Sequence, residues 1–178
     1  MRKLTSCLMV IGGVVAGCGD NVDPPAPAPA PATATATFMG VSGQTVTGTA
    51  RFTEDDDGTV TLVVTITEGP PGVHGIHIHD VPSCDNEGLA AGPHWDDDDT
   101  SGENHRLPNG DGHLGDLGNI EIAADGTGTL TFSHPAWTLG DGSPTDVVPH
   151  AIILHESMDD GTMPSAGARW GCALIVAD

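Results

Sequence analysis

The sequence predicts an all-β domain, a closed or sandwiched antiparallel barrel of about eight short strands, on three observations. Val60, Leu62, Val64 and Ile66 alternate with Thr61, Thr65 and Thr67, which is the period-two spacing of a strand with one buried face. Turn-forming clusters separate runs of this kind. Asp55-Asp56-Asp57-Gly58 lies between Ala50-Arg51-Phe52 and Val60, and Ala124-Asp125-Gly126 lies between Ile120-Glu121-Ile122 and Leu130-Thr131-Phe132, so a hairpin is expected at each. Helix formers are scarce in a chain with 25 Gly, three Phe, three Trp and no Tyr, a composition that suits strands and turns.

The 178 residues divide into three parts. Residues 1–17 read as an export signal: Arg2 and Lys3 precede an apolar run through Leu8, Val10, Ile11 and Val15 that is too short to span a bilayer. Val15-Ala16-Gly17-Cys18 resembles the lipobox of bacterial lipoproteins, which would make Cys18 the lipidated first residue of an exported, membrane-anchored protein, periplasmic or cell-surface. An ordinary signal peptide that happens to contain Cys18 is the alternative. Residues 18–36 form a tether, because alternating Ala-Pro and Ala-Thr favour extended polyproline II and have no apolar surface to bury. The domain is expected over residues 37–178.

Within it, strands are expected near Phe38 and at Ala50 to Phe52, Val60 to Thr67, Val73 to His79, Ile120 to Ile122, Leu130 to Phe132, His150 to His155 and Arg169 to Val176. Two stretches carry no strand pattern, Val81 to Gly118 and Glu156 to Ala168. Loops that long in a compact domain are usually functional.

Charge narrows the partners. All 25 acidic residues follow Cys18, and only Arg51, Arg106 and Arg169 remain basic there, so the mature chain carries a net −22. Nucleic acid and anionic lipid surfaces are poor partners for such a charge, and no nucleic acid is expected to bind. With the leader removed and Cys18 lipidated, Cys84 and Cys172 are the two cysteines of the folded part, and export permits one disulfide between them.

The nine histidines carry the chemistry. His77 and His79, one residue apart in a strand, share a face and can chelate one ion. His94, His105, His113 and Asp116 are spread over the Gly- and Asp-rich loop, and three imidazoles with one carboxylate make a closed tetrahedral zinc set. A loop with no core of its own gains order from such a clip. His74 has the opposite parity to His77 and reads as a hydrogen-bonded structural residue facing the barrel. Trp95, Trp137 and Trp170 read as packing groups, Asp96 to Asp99 as a solvated loop face, and His134 and His150 have no assigned role.

Gly72-Val73-His74-Gly75-Ile76-His77-Ile78-His79, Ala91-Gly92-Pro93-His94, Gly112-His113-Leu114-Gly115-Asp116-Leu117-Gly118-Asn119 and Leu154-His155-Glu156, in that order, resemble the copper/zinc superoxide dismutase family, and the spacing from His105 to His113 resembles its bacterial, exported branch. The resemblance covers nearly the whole domain. It implies an eight-stranded antiparallel Greek-key β-barrel with two long functional loops, and copper and zinc as cofactors. Copper would be held by His77, His79, His94 and His155, and zinc by His94, His105, His113 and Asp116, with His94 bridging the two. It further implies that Asp159 links a copper ligand to a zinc ligand, that Arg169 guides and holds the superoxide anion, and that Cys84 and Cys172 form the family disulfide. The implied reaction converts superoxide to dioxygen and hydrogen peroxide. Compared with the family pattern, the segment from His94 to His105 is longer and more acidic, and Glu156 to Ala168 contains no Lys. A non-catalytic copper/zinc-binding lipoprotein on the same scaffold is the alternative function, a surface domain merely stabilised by its metals is a third, and a homodimer is left open.

Overall fold

A computed structural model describes residues 32–96, 105–107, 112–162 and 166–178. The leader, Cys18, nearly all of the tether and Asp97 to Asp99 lie outside these residues. The strands are β1 (Thr33–Gly40), β2 (Thr47–Glu54), β3 (Val60–Glu68), β4 (Gly72–His79), β5 (Asp116–Ile122), β6 (Gly128–His134), β7 (Ala151–His155), β8 (Arg169–Leu174) and β9 (Val176–Ala177). Every pairing between these strands is antiparallel. The order β1-β2-β3-β6-β5-β4-β7-β8 closes on itself because β1 pairs with both β2 and β8, and the two-residue β9 continues the line of β8 along β1. The chain passes from β3 over β6 and β5 to reach β4, then from β6 past β5 and β4 to reach β7, which is the Greek-key crossover expected of an eight-stranded barrel. Among the described residues there is no α-helix, only one 3-10 turn at Leu89–Ala91.

The strand alternation read from the sequence fills the barrel. Val60, Leu62, Val64 and Ile66 of β3 are fully buried, facing Ala50 and Phe52 of β2 and Ile76 and Ile78 of β4. Each large apolar side chain so enclosed contributes roughly 1.5–3 kcal/mol. Both expected hairpins form, β2–β3 across Asp55 to Thr59 and β5–β6 across Ala123 to Thr127. Trp95 and Trp137 pack in the core, the latter donating its indole N–H to the Leu114 carbonyl at 3.0 Å, while Trp170 is half-buried beside His74.

One boundary is corrected. The tether does not run to residue 36, because Thr33–Ala36 already belong to β1 and pair with Ala50 to Thr53 of β2. Ala34 and Ala36 are buried with threonines facing out, so the Ala-Thr repeat is itself a strand alternation whose inward residue happens to be small.

On β4 and β7 the inward residues are Ile76, Ile78, Ile152 and Leu154, which leaves His77, His79 and His155 on the outer face. The loops then cover that face. Ile78 N–H donates to the Gly115 carbonyl and Trp95 N–H to the Ile78 carbonyl, each at 2.9 Å, drawing the stretches that bear His94 and His113 onto the end of β4. Gly115 makes this approach possible, since a Cβ there would lie 2.1 Å from the Ile78 carbonyl oxygen. Cys84 and Cys172 form a disulfide with Cα atoms 5.8 Å apart, closing 88 residues of separation. In the chain-entropy account such a loop contributes roughly 4–5 kcal/mol. It ties the Cys84 loop to β8, three residues from Arg169.

Candidate metal centre

Two donor groups meet on the outer face of the barrel, and they are built differently. In the first, one ligand atom from each of His77, His79, His94 and His155 lies within 4.8 Å of the others, and all four residues are buried. Three of these side chains stand on strands, so their positions follow from backbone register. In the second, His94, His105, His113 and Asp116 converge to the same tolerance, with three of the four carried by loop segments and only Asp116 on a strand.

The tautomers of the first group follow from its hydrogen bonds. His79 donates Nδ1–H to the Gly92 carbonyl at 2.9 Å, and His155 turns Nδ1 to the Gly167 carbonyl at 3.4 Å. Their Nε2 atoms are therefore both acceptors, and they face each other across 3.4 Å. His77 donates Nε2–H to the Asp159 carboxylate at 2.8 Å, so its Nδ1 also carries a lone pair. That atom is buried with no hydrogen-bond partner. Three lone pairs converging in a buried site repel one another unless a cation lies among them. Burial also keeps the rings neutral: it pulls the His77 imidazole down to about 4 and that of His155 to about 3, holds His79 well below the ordinary histidine range, and lowers His94. A neutral, all-imidazole set suits copper.

The second group centres on the Asp116 carboxylate. Its Oδ1 lies 2.7 Å from His94 Nδ1, 2.9 Å from His105 Nδ1 and 3.4 Å from His113 Nδ1. These separations bracket the ~3.3 Å between ligands of a tetrahedral ion with ~2 Å bonds, so the set fits zinc. The Arg106 and His113 backbone N–H groups donate to Oδ2, both at 3.0 Å, fixing the carboxylate. Gly112 leaves room for it, since a Cβ there would sit 2.8 Å from Oδ2. Burial would raise the Asp116 pKa, but the hydrogen bonds from His94 and Arg106 outweigh it and hold the carboxyl well below its ordinary range. With Nδ1 of His94 turned to Asp116, Nε2 is the nitrogen that His94 has left for the first group.

Asp159 joins the two groups from behind, taking His77 Nε2–H at 2.8 Å on one oxygen and His105 Nε2–H at 2.9 Å on the other. Burial again opposes ionisation, and the two imidazole hydrogen bonds reverse it, keeping the carboxyl ionised. For His105, burial is outweighed by the carboxylates on both nitrogens and the pKa rises. Arg169, half-buried on β8, lines the pocket over the first group and donates from Nη1 to the Gly88 carbonyl and from Nη2 to the Gly92 carbonyl, the latter at 2.6 Å.

The family profile for copper/zinc superoxide dismutase matches residues 46–175. The chain belongs to the copper/zinc superoxide dismutase family. Superoxide dismutase [Cu-Zn] 2 of Brassica juncea is 32% identical over 144 residues, spanning 75% of this chain and 91% of that one. The crystal structure of the clock protein EA4 superposes with a TM-score of 0.69 at 28% identity, covering 83% of this chain and 95% of that chain. The protein is thus an oxidoreductase of the superoxide dismutase family, with copper and zinc as its cofactors.

Within the described residues of this dismutase domain the seven expected donors, Asp159 and Arg169 come to one place, and Cys84 and Cys172 form the expected disulfide, with Cys172 on β8 beside Arg169 in sequence rather than in the site itself. His74 is buried, with Nδ1 2.9 Å from the His155 carbonyl and Nε2 2.9 Å from that of Pro70. His150 stacks on Trp95 and donates Nδ1–H to the Asp80 carbonyl at 2.8 Å, and His134 packs against Phe132 and Trp137. Two positions carry roles the sequence reading did not give them. The Asn119 amide grips the Asp159 backbone in both directions, donating Nδ2–H to its carbonyl at 2.9 Å and accepting its N–H at 2.8 Å. Gly75 lets the Asp159 loop lie against β4, since a Cβ there would sit 2.9 Å from that of Ala166 and 3.2 Å from that of Asp159.

Proposed function

We propose that the protein removes superoxide outside the cytoplasm, with copper held by His77, His79, His94 and His155 and zinc by His94, His105, His113 and Asp116. The reading rests most on the buried, partnerless Nδ1 of His77, which faces the lone pairs of His79 and His155. Copper, when bound, supplies the one-electron exchange by cycling between Cu(II) and Cu(I), while zinc has no redox chemistry and supplies fixed charge. His94 holds and returns a proton at Nε2, and Asp116 fixes its other nitrogen so that the ring keeps its orientation. Asp159 sets the tautomers of His77 and His105. Arg169, its guanidinium fixed by two carbonyls, binds the anion and stabilises the charge gained on reduction. The leader and Cys18 support export and a lipid anchor to a membrane facing the periplasm or the cell surface, with the tether holding the barrel off that surface at ~3 Å per residue.

The test is to export the chain from Gly19, measure bound copper and zinc, and assay superoxide removal beside His155→Ala. Both metals and activity are expected in the parent, and loss of copper with activity in the variant. Metal-replete protein without activity would favour the copper/zinc-binding lipoprotein. For the anchor, Cys18→Ala in the full chain moves the protein from the membrane pellet to the soluble fraction; an unchanged pellet would contradict it.

A further inference from the structure

We propose that Trp137 is a positioning residue for zinc: from inside the barrel its indole holds the backbone between His113 and Asp116, and with it the geometry of the second donor group. That zinc fills this group rests on the functional reading above; the tie itself does not.

The segment His113-Leu114-Gly115-Asp116 supplies two of the four donors and joins a strand only at Asp116. Leu114 turns inward, into the core cluster that also contains Trp95 and Trp137. The backbone polar groups it carries inward must find partners there. Gly115 N–H donates to the Trp95 carbonyl and the Gly115 carbonyl accepts from Ile78 N–H, each at 2.9 Å. Those are backbone bonds that other residues at 78 and 95 could make. The Leu114 carbonyl is different, because the donor that meets it is a side chain, the Trp137 indole N–H at 3.0 Å, and the bond is buried. The peptide joining Leu114 to Gly115 is thus gripped at both edges by tryptophans, its carbonyl by the Trp137 ring and its N–H by the Trp95 backbone.

The indole itself is fixed by the barrel. Its ring centroid lies 6.0 Å from that of Phe52 on β2 and 5.3 Å from that of Phe132 on β6, so its place is set without any ion. It also packs at 6.5 Å on Trp95, the residue after His94. One side chain therefore reaches the chain beside three of the four donors, His94, His113 and Asp116. Phenylalanine at 137 would fill much of the same space and leave the Leu114 carbonyl without a donor. A buried carbonyl so stranded is costly enough to turn its peptide towards water. That turn would pull Gly115 N–H off Trp95 and swing His113 and Asp116 out of register.

The test measures zinc affinity, and the visible spectrum of cobalt(II) placed in the second group as a reporter of its geometry, in the full-length exported protein. Trp137→Phe is expected to weaken zinc binding about tenfold and to reduce the tetrahedral cobalt bands, while copper affinity of the zinc-loaded protein holds. Trp137→benzothienylalanine, which keeps the ring shape and replaces the N–H by sulfur, should reproduce the loss with the core volume conserved. Phe132→Leu disturbs the same ring cluster but spares the N–H, and should keep parent zinc affinity and spectrum. Unchanged zinc binding in Trp137→Phe, or an equal loss in Phe132→Leu, would overturn the proposal while the metal reading stood. A parent protein that bound neither zinc nor cobalt in the second group would sink the metal reading and this inference with it.

Discussion

The two donor groups that share His94 differ in what holds them. The first stands mainly on β4 and β7, where the ladder fixes His77, His79 and His155 whether or not an ion is present. The second is carried largely by chain without strand structure, and its order depends on Asp116 and on whatever ion replaces the protons shared around it. A strand-borne site is built by the fold, whereas a loop-borne site helps to build the fold.

Zinc removal is the sharpest way to separate them. If free zinc stands a thousandfold above its dissociation constant, withdrawing it costs about 4 kcal/mol. We expect hydrogen exchange to quicken at residues 105–107 and 112–116 while the β4 and β7 amides stay protected. Equal loss of protection in both regions would show that the strands do not hold the first group independently.

Acid acts on the opposite partner. His77 and His155 bind protons less readily folded than unfolded, with folded values of about 4 and about 3 against 6.5. The unfolded chain takes up more protons between those values, so the contribution of these two rings to the stability of the metal-free domain is full above pH 6.5 and is lost as pH falls towards 4, by about 3 kcal/mol from His77 alone. His105, raised by its carboxylates, contributes stability that is fully present below 6.5 and is lost only as pH rises above it, so it does not act in this window, and the lowered Asp116 and Asp159 lose theirs only below about 3.8. Chemical denaturation of the metal-free domain at pH 7 and pH 4.5 checks it; stability that rose on acidification would contradict the sign.

Gly75→Ala tests the tie between the groups. The added Cβ drives Asp159 and Ala166 away from β4 at a cost of roughly 1–3 kcal/mol, and both His77 and His105 lose their shared partner. Copper and zinc affinity should therefore fall together. A change confined to one metal would mean that Asp159 serves only one group.

The strand-borne half was legible because parity is local: the one-residue spacing of His77 and His79 places both on one face, whatever lies elsewhere. The alternation of Val60 to Ile66 and the two turn clusters were equally local and gave the right hairpins. Ala34 and Ala36 escaped notice because a strand whose inward residues are alanine has no hydrophobic contrast to display. Asn119 and Gly75 were silent for another reason. Each acts on a segment 40 or more residues away, and neither amide nor missing Cβ means anything until the Asp159 loop is seen to arrive. The loop donors were recognisable as a set through composition and family resemblance, but their convergence on one carboxylate oxygen is a property of the folded loop.

The smallest expected effect concerns charge. A net −22 repels superoxide at range, yet fields beyond ~8 Å are screened at physiological salt, so Arg169 dominates close to the pocket. Superoxide removal should slow modestly as ionic strength rises from a low value; a rate that climbed with salt would give the bulk charge the larger part.

The most direct measurement is to locate the two metals by anomalous diffraction at the copper and zinc edges in crystals of the loaded protein. The account predicts a copper peak among His77, His79, His94 and His155, a zinc peak among His94, His105, His113 and Asp116, and the His94 ring between them. Copper on the Asp116 side, or a single peak serving both groups, would contradict it.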